Sequence, residues 1–136
     1  MRYICIDLGA KRTGLAAGDD ETGVVCPVKT LQIAAGPALL RAVAAAIEEL
    51  GPDAIVLGLP LNMDGTEGPA ARRVREFARQ LGERNGLPLH YQDERLTSDA
   101  AEKHLDASGR THRQKRRIRD ALAAAEILRD FLNARR

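Results

Sequence analysis

The sequence is poor in aromatic side chains, with no tryptophan and only four rings: Tyr3, Phe77, Tyr91 and Phe131. So few rings argue against a binding mode that depends mainly on stacking aromatic side chains against bases. Long hydrophobic runs are also absent. No apolar stretch approaches the roughly 18 residues of a membrane helix, and the first residues lack the apolar core of a signal peptide. We therefore expect a cytoplasmic protein with no membrane partner.

Cysteine is scarce as well, with only Cys5 and Cys26. Both lie in apolar, strand-like stretches, so buried thiols are expected, and a bonded or reactive role is the alternative. Two cysteines alone do not make a zinc site. The three histidines, His90, His104 and His112, have no metal-ligand spacing, and we expect structural or surface roles for them.

The net charge is only +2, but the basic residues are unevenly distributed. The segment 110–119 holds six of the 21 lysines and arginines and no acidic residue. Such a patch attracts a polyanion locally rather than over the whole surface. Lys115, Arg116 and Arg117 at its centre are therefore candidates for contacts with a phosphate backbone. A solvated helix terminus is the alternative.

The order of the apolar runs predicts the fold. A chain of 136 residues fits one domain with one core, and only short turns separate the runs. Residue periodicity predicts the order βββαβαβαα, with elements at 2–8, 14–17, 24–31, 37–51, 54–57, a helix after Pro69, then 87–92, 97–109 and a last helix from 111. A strand meander followed by helix-linked strands is the order of the ribonuclease H-like fold. We predict a single α/β domain, residues 1–136, with a mixed five-stranded sheet and helices on both faces.

Asp7 interrupts the first apolar strand just before its end. A charge is costly to bury there unless a partner or a cation compensates it. An aspartate that caps the turn before Gly9 is the alternative. By itself, Asp7 therefore indicates a functional carboxylate without proving one.

Asp120 lies on the apolar side of the last predicted helix. At 100° per residue it falls between Ala124, Ile127 and Phe131 rather than on the polar side. A buried ion pair with one of the neighbouring arginines is one explanation. The other is that the carboxylate binds a cation on the inner face of a helix packed over the sheet, and the neighbouring alanines would let that helix approach closely.

A third acidic position follows the fifth strand, in the run Gln92-Asp93-Glu94-Arg95. Alternation along a strand sends Asp93 and Glu94 to opposite faces, so only one of them points easily toward Asp7. The residues alone do not choose between the two, and solvated loop charges paired with Arg95 are the alternative.

Three carboxylates from two strand ends and a helix form a plausible site for Mg²⁺ or Mn²⁺, hard cations that prefer oxygen ligands. Two such ions about 4 Å apart activate water and stabilise the leaving oxygen of a phosphodiester. The loop 58–68 is glycine-rich and polar and could line a phosphate groove, but it lacks the lysine and spacing of a P-loop. An ordinary loop is an equal alternative.

Taken together, these motifs resemble the YqgF/RuvX family, which is related to the RuvC junction resolvases. The resemblance runs nearly end to end. It rests on four groups of residues: Asp7-Leu8-Gly9 with Arg12, Gly14 and Ala16; Gly58-Leu59-Pro60 with Asn62, Asp64 and Gly65; Asp93 to Thr97; and Asp120 with Ala123, Ala124, Ile127 and Leu128.

The resemblance implies that Asp7, Glu94 and Asp120 are the catalytic, metal-binding carboxylates, and so favours Glu94 over Asp93. It also implies the ribonuclease H-like fold, a divalent metal and nucleic-acid substrates. Arg12, with Lys11 beside it, and Arg95 become candidates for contacting the substrate near the scissile phosphate.

The function expected from this resemblance is processing of the 5′ end of precursor 16S ribosomal RNA. Holliday junction resolution is the close alternative, and it would require a homodimer because two strands are cut symmetrically. A non-catalytic RNA-binding protein of ribosome assembly is an alternative of another class. Sugar-kinase and chaperone ATPases also begin with a strand bearing Asp-x-Gly. Those enzymes close two such domains around a nucleotide, whereas 136 residues supply only one, so chain length argues against this class.

Overall fold

The computed structural model describes residues 1–94 and 112–135, and the side chains of 1–94 and 118–135. These residues form five strands and three helices. The elements are β1 (Arg2–Leu8), β2 (Thr13–Asp19), β3 (Val25–Leu31), α1 (Pro37–Leu50), β4 (Ala54–Leu59), α2 (Pro69–Arg84), β5 (Leu89–Asp93) and α3 (His112–Ala134). The predicted helix at 97–109 lies outside the described residues.

The five strands form one mixed sheet in the order β3-β2-β1-β4-β5. The first three are antiparallel neighbours, whereas β1 pairs with β4 and β4 with β5 in parallel. The parallel pairs need crossover connections, which α1 and α2 provide. The predicted mixed sheet is confirmed.

Helices cover both faces of this sheet, as the sequence predicts. On one face, Ile4 and Ile6 of β1 pack in a core with residues of α1 and α2. On the other face, Tyr3 and Cys5 pack against α3. Because side chains alternate along a strand, Asp7 follows Tyr3 and Cys5 toward the α3 face.

Several element boundaries differ from those predicted. Strand β5 begins at Leu89 rather than at residue 87. Pro88 has no backbone N–H to donate to a sheet, and the N–H of Leu87 donates a hydrogen bond to Asn85 Oδ1 at 3.1 Å. Strands β2 and β4 extend to Asp19 and Leu59, beyond their predicted ends.

The expectation of two buried thiols is half wrong. Cys5 is buried in the centre of the sheet, but Cys26 is exposed. Cys26 lies on β3, an edge strand of the sheet. The residues next to it in the sequence are apolar, but its side chain is not covered by a helix or another strand of the described chain. Among the described helices, none is long and apolar enough to cross a membrane.

Candidate active site

Asp7 lies near the carboxyl end of β1, on the face covered by α3. It is paired across the antiparallel ladder with Gly14 of β2. Its pKa is raised, chiefly because burial disfavours the charged form and also because of the charge of Asp120. The first candidate carboxylate therefore sits where charge must be offset.

Glu94 follows the last residue of β5, and its backbone N–H donates a hydrogen bond to the Leu59 carbonyl at 3.3 Å. Its side chain leans over β4, the strand between β5 and β1. Gly58 makes room for it, since a Cβ on residue 58 would lie 2.3 Å from Glu94 Oε2. A side chain at this position of β4 would displace the carboxylate.

The Glu94 carboxyl is directed at Asp7, and the two side chains are close enough to hydrogen-bond. Two carboxylates are both acceptors, so this bond exists only when one of them carries a proton. The pKa of Glu94 is raised to about 8, first by burial and then by the charge of Asp7, whereas the bond from Glu94 partly offsets the rise at Asp7. Burial therefore favours a proton held by the pair, with the pKa of each carboxyl above its ordinary range.

Asp120 reaches the same region from α3. The helix touches the sheet directly there, because a Cβ on Gly14 would lie 1.8 Å from the Asp120 backbone oxygen. Since Gly14 is the partner of Asp7, this contact places residue 120 beside the end of β1. The close approach predicted from the alanines is real, but the glycine of the sheet permits it as much as the buried Ala121, Ala124 and Ala125 do.

Arg12 forms an ion pair with Asp120, with Nε 3.0 Å from Oδ2 and the two side chains 49% and 23% exposed. Asp120 is thus ion-paired, but the pair differs from the predicted one in two respects. The arginine comes from the β1–β2 turn rather than from the residues beside Asp120, and its side chain is half exposed rather than buried. An Arg12 that contacts a phosphate must leave this pair. Lys11, beside it, is exposed.

The remaining predicted site residues are less well placed or lie outside the description. Asp93 lies on the strand face opposite to Glu94 by alternation, and its charge raises the pKa of Glu94. Arg95 lies outside the described residues, and Lys115, Arg116 and Arg117 lie outside the described side chains. His90 has the structural role expected of it, packed against Tyr3 and Phe131 with ring centroids 6.5 and 5.3 Å away.

The loop 58–68 folds on itself. The N–H of Asn62 donates to the Thr66 carbonyl at 2.8 Å, and the N–H of Thr66 donates to Asp64 Oδ1 at 2.9 Å. Arg75 of α2 holds Glu67 through two hydrogen bonds of 2.6 Å. These backbone and side-chain groups are engaged within the loop, which favours the ordinary-loop alternative over a phosphate groove.

The carboxylates fit a hard cation in part. Within residues 1–94 and 118–135, no three side chains of His, Cys, Asp or Glu already converge as metal ligands. Asp7 and Glu94 do converge, and Glu94 Oε2 is buried without a hydrogen-bond partner among the described residues. An orphaned carboxylate oxygen beside a second carboxylate suits a cation that prefers oxygen. Asp120, which Arg12 engages in this structure, is the remaining carboxylate predicted for the set.

Two glycines, Gly14 and Gly58, position this site, and sequence reasoning gave neither of them a packing role. Each permits a close approach that depends on pairing between distant segments. The only signal in the sequence was a glycine within or next to a strand, which indicates a close backbone approach without saying to what.

Comparison with known proteins gives a consistent result. A model of the RuvX family, described as Holliday junction resolvase, matches residues 1–134. A protein from Anaeromyxobacter sp. (strain Fw109-5), named as a proposed pre-16S rRNA nuclease, is 42% identical over 135 residues, 99% of this chain and 98% of its own. One from Geobacillus kaustophilus (strain HTA426), with the same name, is 38% identical over 138 residues and both full lengths.

Solved structures are similar in fold at low sequence identity. Thermus thermophilus RuvC in complex with a Holliday junction substrate superposes with a TM-score of 0.62 at 15% identity, over 99% of this chain and 95% of that chain. The fowlpox virus Holliday junction resolvase superposes with a TM-score of 0.64 at 12% identity over the full length of both. These neighbours establish the predicted fold class, and the family match and full-length relatives establish that this chain belongs to the RuvX family.

Proposed function

We propose that this protein is a metal-dependent nuclease that hydrolyses phosphodiester bonds with Asp7, Glu94 and Asp120 as its catalytic carboxylates. The observation that carries the proposal is the contact between Asp7 and Glu94 across Gly58. The pair is buried and burial raises the pKa of both carboxyls, which is an unfavourable arrangement for a purely structural role. The names of the full-length relatives and the description of the family support the same activity.

Asp7 and Glu94 would hold a divalent cation, with Asp120 as the third carboxylate. When bound, Mg²⁺ or Mn²⁺ lowers the pKa of water and offsets the charge of the phosphate. The chain itself must do two things. Glu94 gives up the shared proton, and Arg12 exchanges Asp120 for the incoming phosphate, because the arginine fork suits either anion.

The substrate we favour is the 5′ end of precursor 16S ribosomal RNA, because full-length relatives at about 40% identity carry that name. Lys11, Arg12 and Arg95 would contact the backbone near the cut, and Lys115, Arg116 and Arg117 would follow it farther away. We further propose that residues 1–136 act as one domain in the cytoplasm.

Holliday junction resolution is the second candidate, favoured by the description of the family model. A junction resolvase makes two symmetric cuts, so this function would require two copies of the chain on one junction. A third candidate, an RNA-binding protein of ribosome assembly without catalysis, predicts that the carboxylates contribute only to folding.

A cleavage assay separates these candidates. The protein is incubated with precursor 16S RNA, a four-way DNA junction and a linear duplex of matched sequence, with Mg²⁺, with Mn²⁺ or with a chelator. The favoured function predicts metal-dependent cleavage of the RNA. Symmetric cleavage of the junction by a dimer would transfer the proposal to the second candidate, and binding without cleavage would support the third.

Variants test the carboxylates in the same assay. Asp7→Asn and Asp120→Asn should each lower the cleavage rate at least about 100-fold, which is about 2.7 kcal/mol of transition-state stabilisation. Asp130→Asn is the matched control, because Asp130 is exposed on the same helix as Asp120. Unchanged cleavage by Asp7→Asn would remove that residue from the site.

A further inference from the structure

A cavity of about 360 Å³ opens next to the candidate carboxylates. Apolar groups form much of its wall, namely Leu8 at the end of β1, Pro60 after β4, and Ala70 and Phe77 of α2. Glu94 lines it as well, so the cavity and the candidate active site share a residue. Sequence reasoning did not identify this cavity, because its walls come from segments far apart in the chain.

Polar side chains of α2 stand around the apolar walls. Arg73, Glu76 and Gln80 recur at helical spacing on one side of that helix and line the cavity. Glu76 accepts hydrogen bonds from Arg79 at 2.5 Å and from Gln80 at 3.3 Å. Arg73 is exposed and has no ion pair within the described part of the chain. The charge of Glu76 is thus offset, whereas no described acidic side chain pairs with Arg73.

We propose that this cavity receives the base of the nucleotide next to the cleaved phosphodiester bond, with Arg73 against an adjoining phosphate. The inference rests on the proposed nuclease function and adds a substrate feature to it. The cavity lies on the α1/α2 side of the sheet, whereas Asp7 faces α3. A strand whose phosphate lies at Asp7 and Glu94 therefore reaches the cavity around the carboxyl edge of the sheet, where Glu94 bounds both. Apolar walls suit the faces of a base, and the Gln80 amide suits its polar edge once it exchanges its hydrogen bond to Glu76 for one to the base.

The size of the cavity is consistent with this occupant. It lies at the lower end of the roughly 300–1,000 Å³ typical of small-ligand pockets. A base can enter such a pocket only after it leaves its pair and its stack. The inference therefore defines the substrate class: the nucleotide beside the cut is unpaired, as at a single-stranded extension or a branch point. Phe77 is the only aromatic ring in the described wall, so packing in a slot, rather than a stacking platform, would hold the base.

The test begins with the substrate, using the unaltered protein. In whichever nucleic acid the cleavage assay shows to be cut, each nucleotide around the cleaved bond is replaced in turn by an abasic one. We expect kcat/KM to fall about tenfold at one nucleotide flanking the bond, a difference of about 1.4 kcal/mol. Abasic nucleotides three or more positions away should change it less than about twofold.

A variant then connects that nucleotide to the cavity. Ala70→Leu fills the slot from α2 and should lower kcat/KM on the intact substrate by a similar factor, with little further loss on the sensitive abasic one. Ala45→Leu, at an exposed position of α1, is the matched control. In the Asp7→Asn protein, once its binding of the substrate has been measured, 2-aminopurine at the sensitive position should gain fluorescence as it unstacks.

The outcomes separate the two claims. Cleavage that is insensitive to abasic nucleotides at every flanking position overturns the base site and leaves the nuclease intact. Additive losses from Ala70→Leu and the abasic nucleotide place the base elsewhere and also overturn it. If no substrate is cut, the proposed function fails and the base site fails with it. The abasic series can overturn the base site by itself, and Ala70→Val, a smaller replacement, takes the place of Ala70→Leu if that variant does not fold.

Discussion

Glu94 Oε2 occupies the space in which a side chain on Gly58 would lie, because a Cβ there would be only 2.3 Å away. Ile127 of α3 closes the same space from above, with its Cδ1 2.8 Å from that Cβ position. Gly58 thus acts as the gap in β4 through which a residue that follows β5 reaches a residue of β1. The candidate active site depends on a missing side chain as much as on the acidic ones.

Gly58→Ala should therefore impair cleavage more than folding. The added methyl group forces Glu94 away from Asp7, and we expect the cleavage rate to fall at least about tenfold, since catalytic groups tolerate only small displacements. Rate and urea stability are measured together. Gly86→Ala is the control, because nothing lies within 4 Å of a Cβ at Gly86. Equal rates for both variants would show that the position of Glu94 is unimportant.

Gly14→Ala should act mainly on stability. A Cβ there would lie 1.8 Å from the Asp120 backbone oxygen, and a helix backbone cannot move as a flexible side chain can. Moving α3 off the sheet should lower the free energy of unfolding by about 1–3 kcal/mol. Urea denaturation measures the change, again against Gly86→Ala. A loss below about 0.5 kcal/mol would mean that α3 does not pack on Gly14 this closely.

The shared proton predicts how stability depends on pH without divalent metal. Burial raises the pKa of Glu94 from an ordinary 4.5 to about 8, so the folded state binds the proton that the unfolded state loses. The stabilisation is complete below about pH 4.5 and is lost as the pH rises through about 8, a change on the order of a few kcal/mol. Glu94→Gln should flatten the urea stability profile over this range, whereas Glu48→Gln, at an exposed position of α1, should not.

Saturating Mg²⁺ should reverse that trend, since a cation bound to the ionised pair stabilises the folded state more as the proton leaves. The measurement is thermal unfolding at pH 6 and pH 8.5 with and without the ion. An increase in Tm that is no greater at pH 8.5 than at pH 6 would contradict a cation site at Asp7 and Glu94.

Arg12→Gln should leave stability nearly unchanged while weakening substrate binding. The Arg12 side chain is half exposed, and an exposed ion pair contributes at most about 1 kcal/mol. If Arg12 transfers to a phosphate, its loss should also lower the slope of log K against log salt by about 1. The control is Arg41→Gln, an exposed arginine of α1. Identical salt slopes for the two variants would leave Arg12 as a partner of Asp120 only.

The sequence predicted the fold well because strand alternation and helical spacing are local patterns. The predicted bounds of β1, Arg2–Leu8, and the predicted start of α1 at Pro37 both agree with the structure. The inward position of Asp120 was also predictable from its place on the helix. Its partner was not, because the ion pair with Arg12 joins residues from opposite ends of the chain.

The choice between Asp93 and Glu94 shows the same limit. Strand alternation predicted that only one of them could face Asp7. The residue at which β5 ends and the absence of a side chain at Gly58 determine which one it is. Both depend on pairing between strands. The cavity beside Glu94 was likewise not predictable from the sequence, because five separate segments build its wall.

The most direct test of the account compares Glu94→Gln with Asp93→Asn, two adjacent residues on opposite faces of the chain. Single-turnover cleavage of the preferred substrate is measured in saturating Mg²⁺. The account predicts that Glu94→Gln loses at least about 100-fold in rate, whereas Asp93→Asn stays within about threefold of the unaltered protein. Equal rates for the two variants, or a larger loss for Asp93→Asn, would contradict the assignment of Glu94 to the catalytic site.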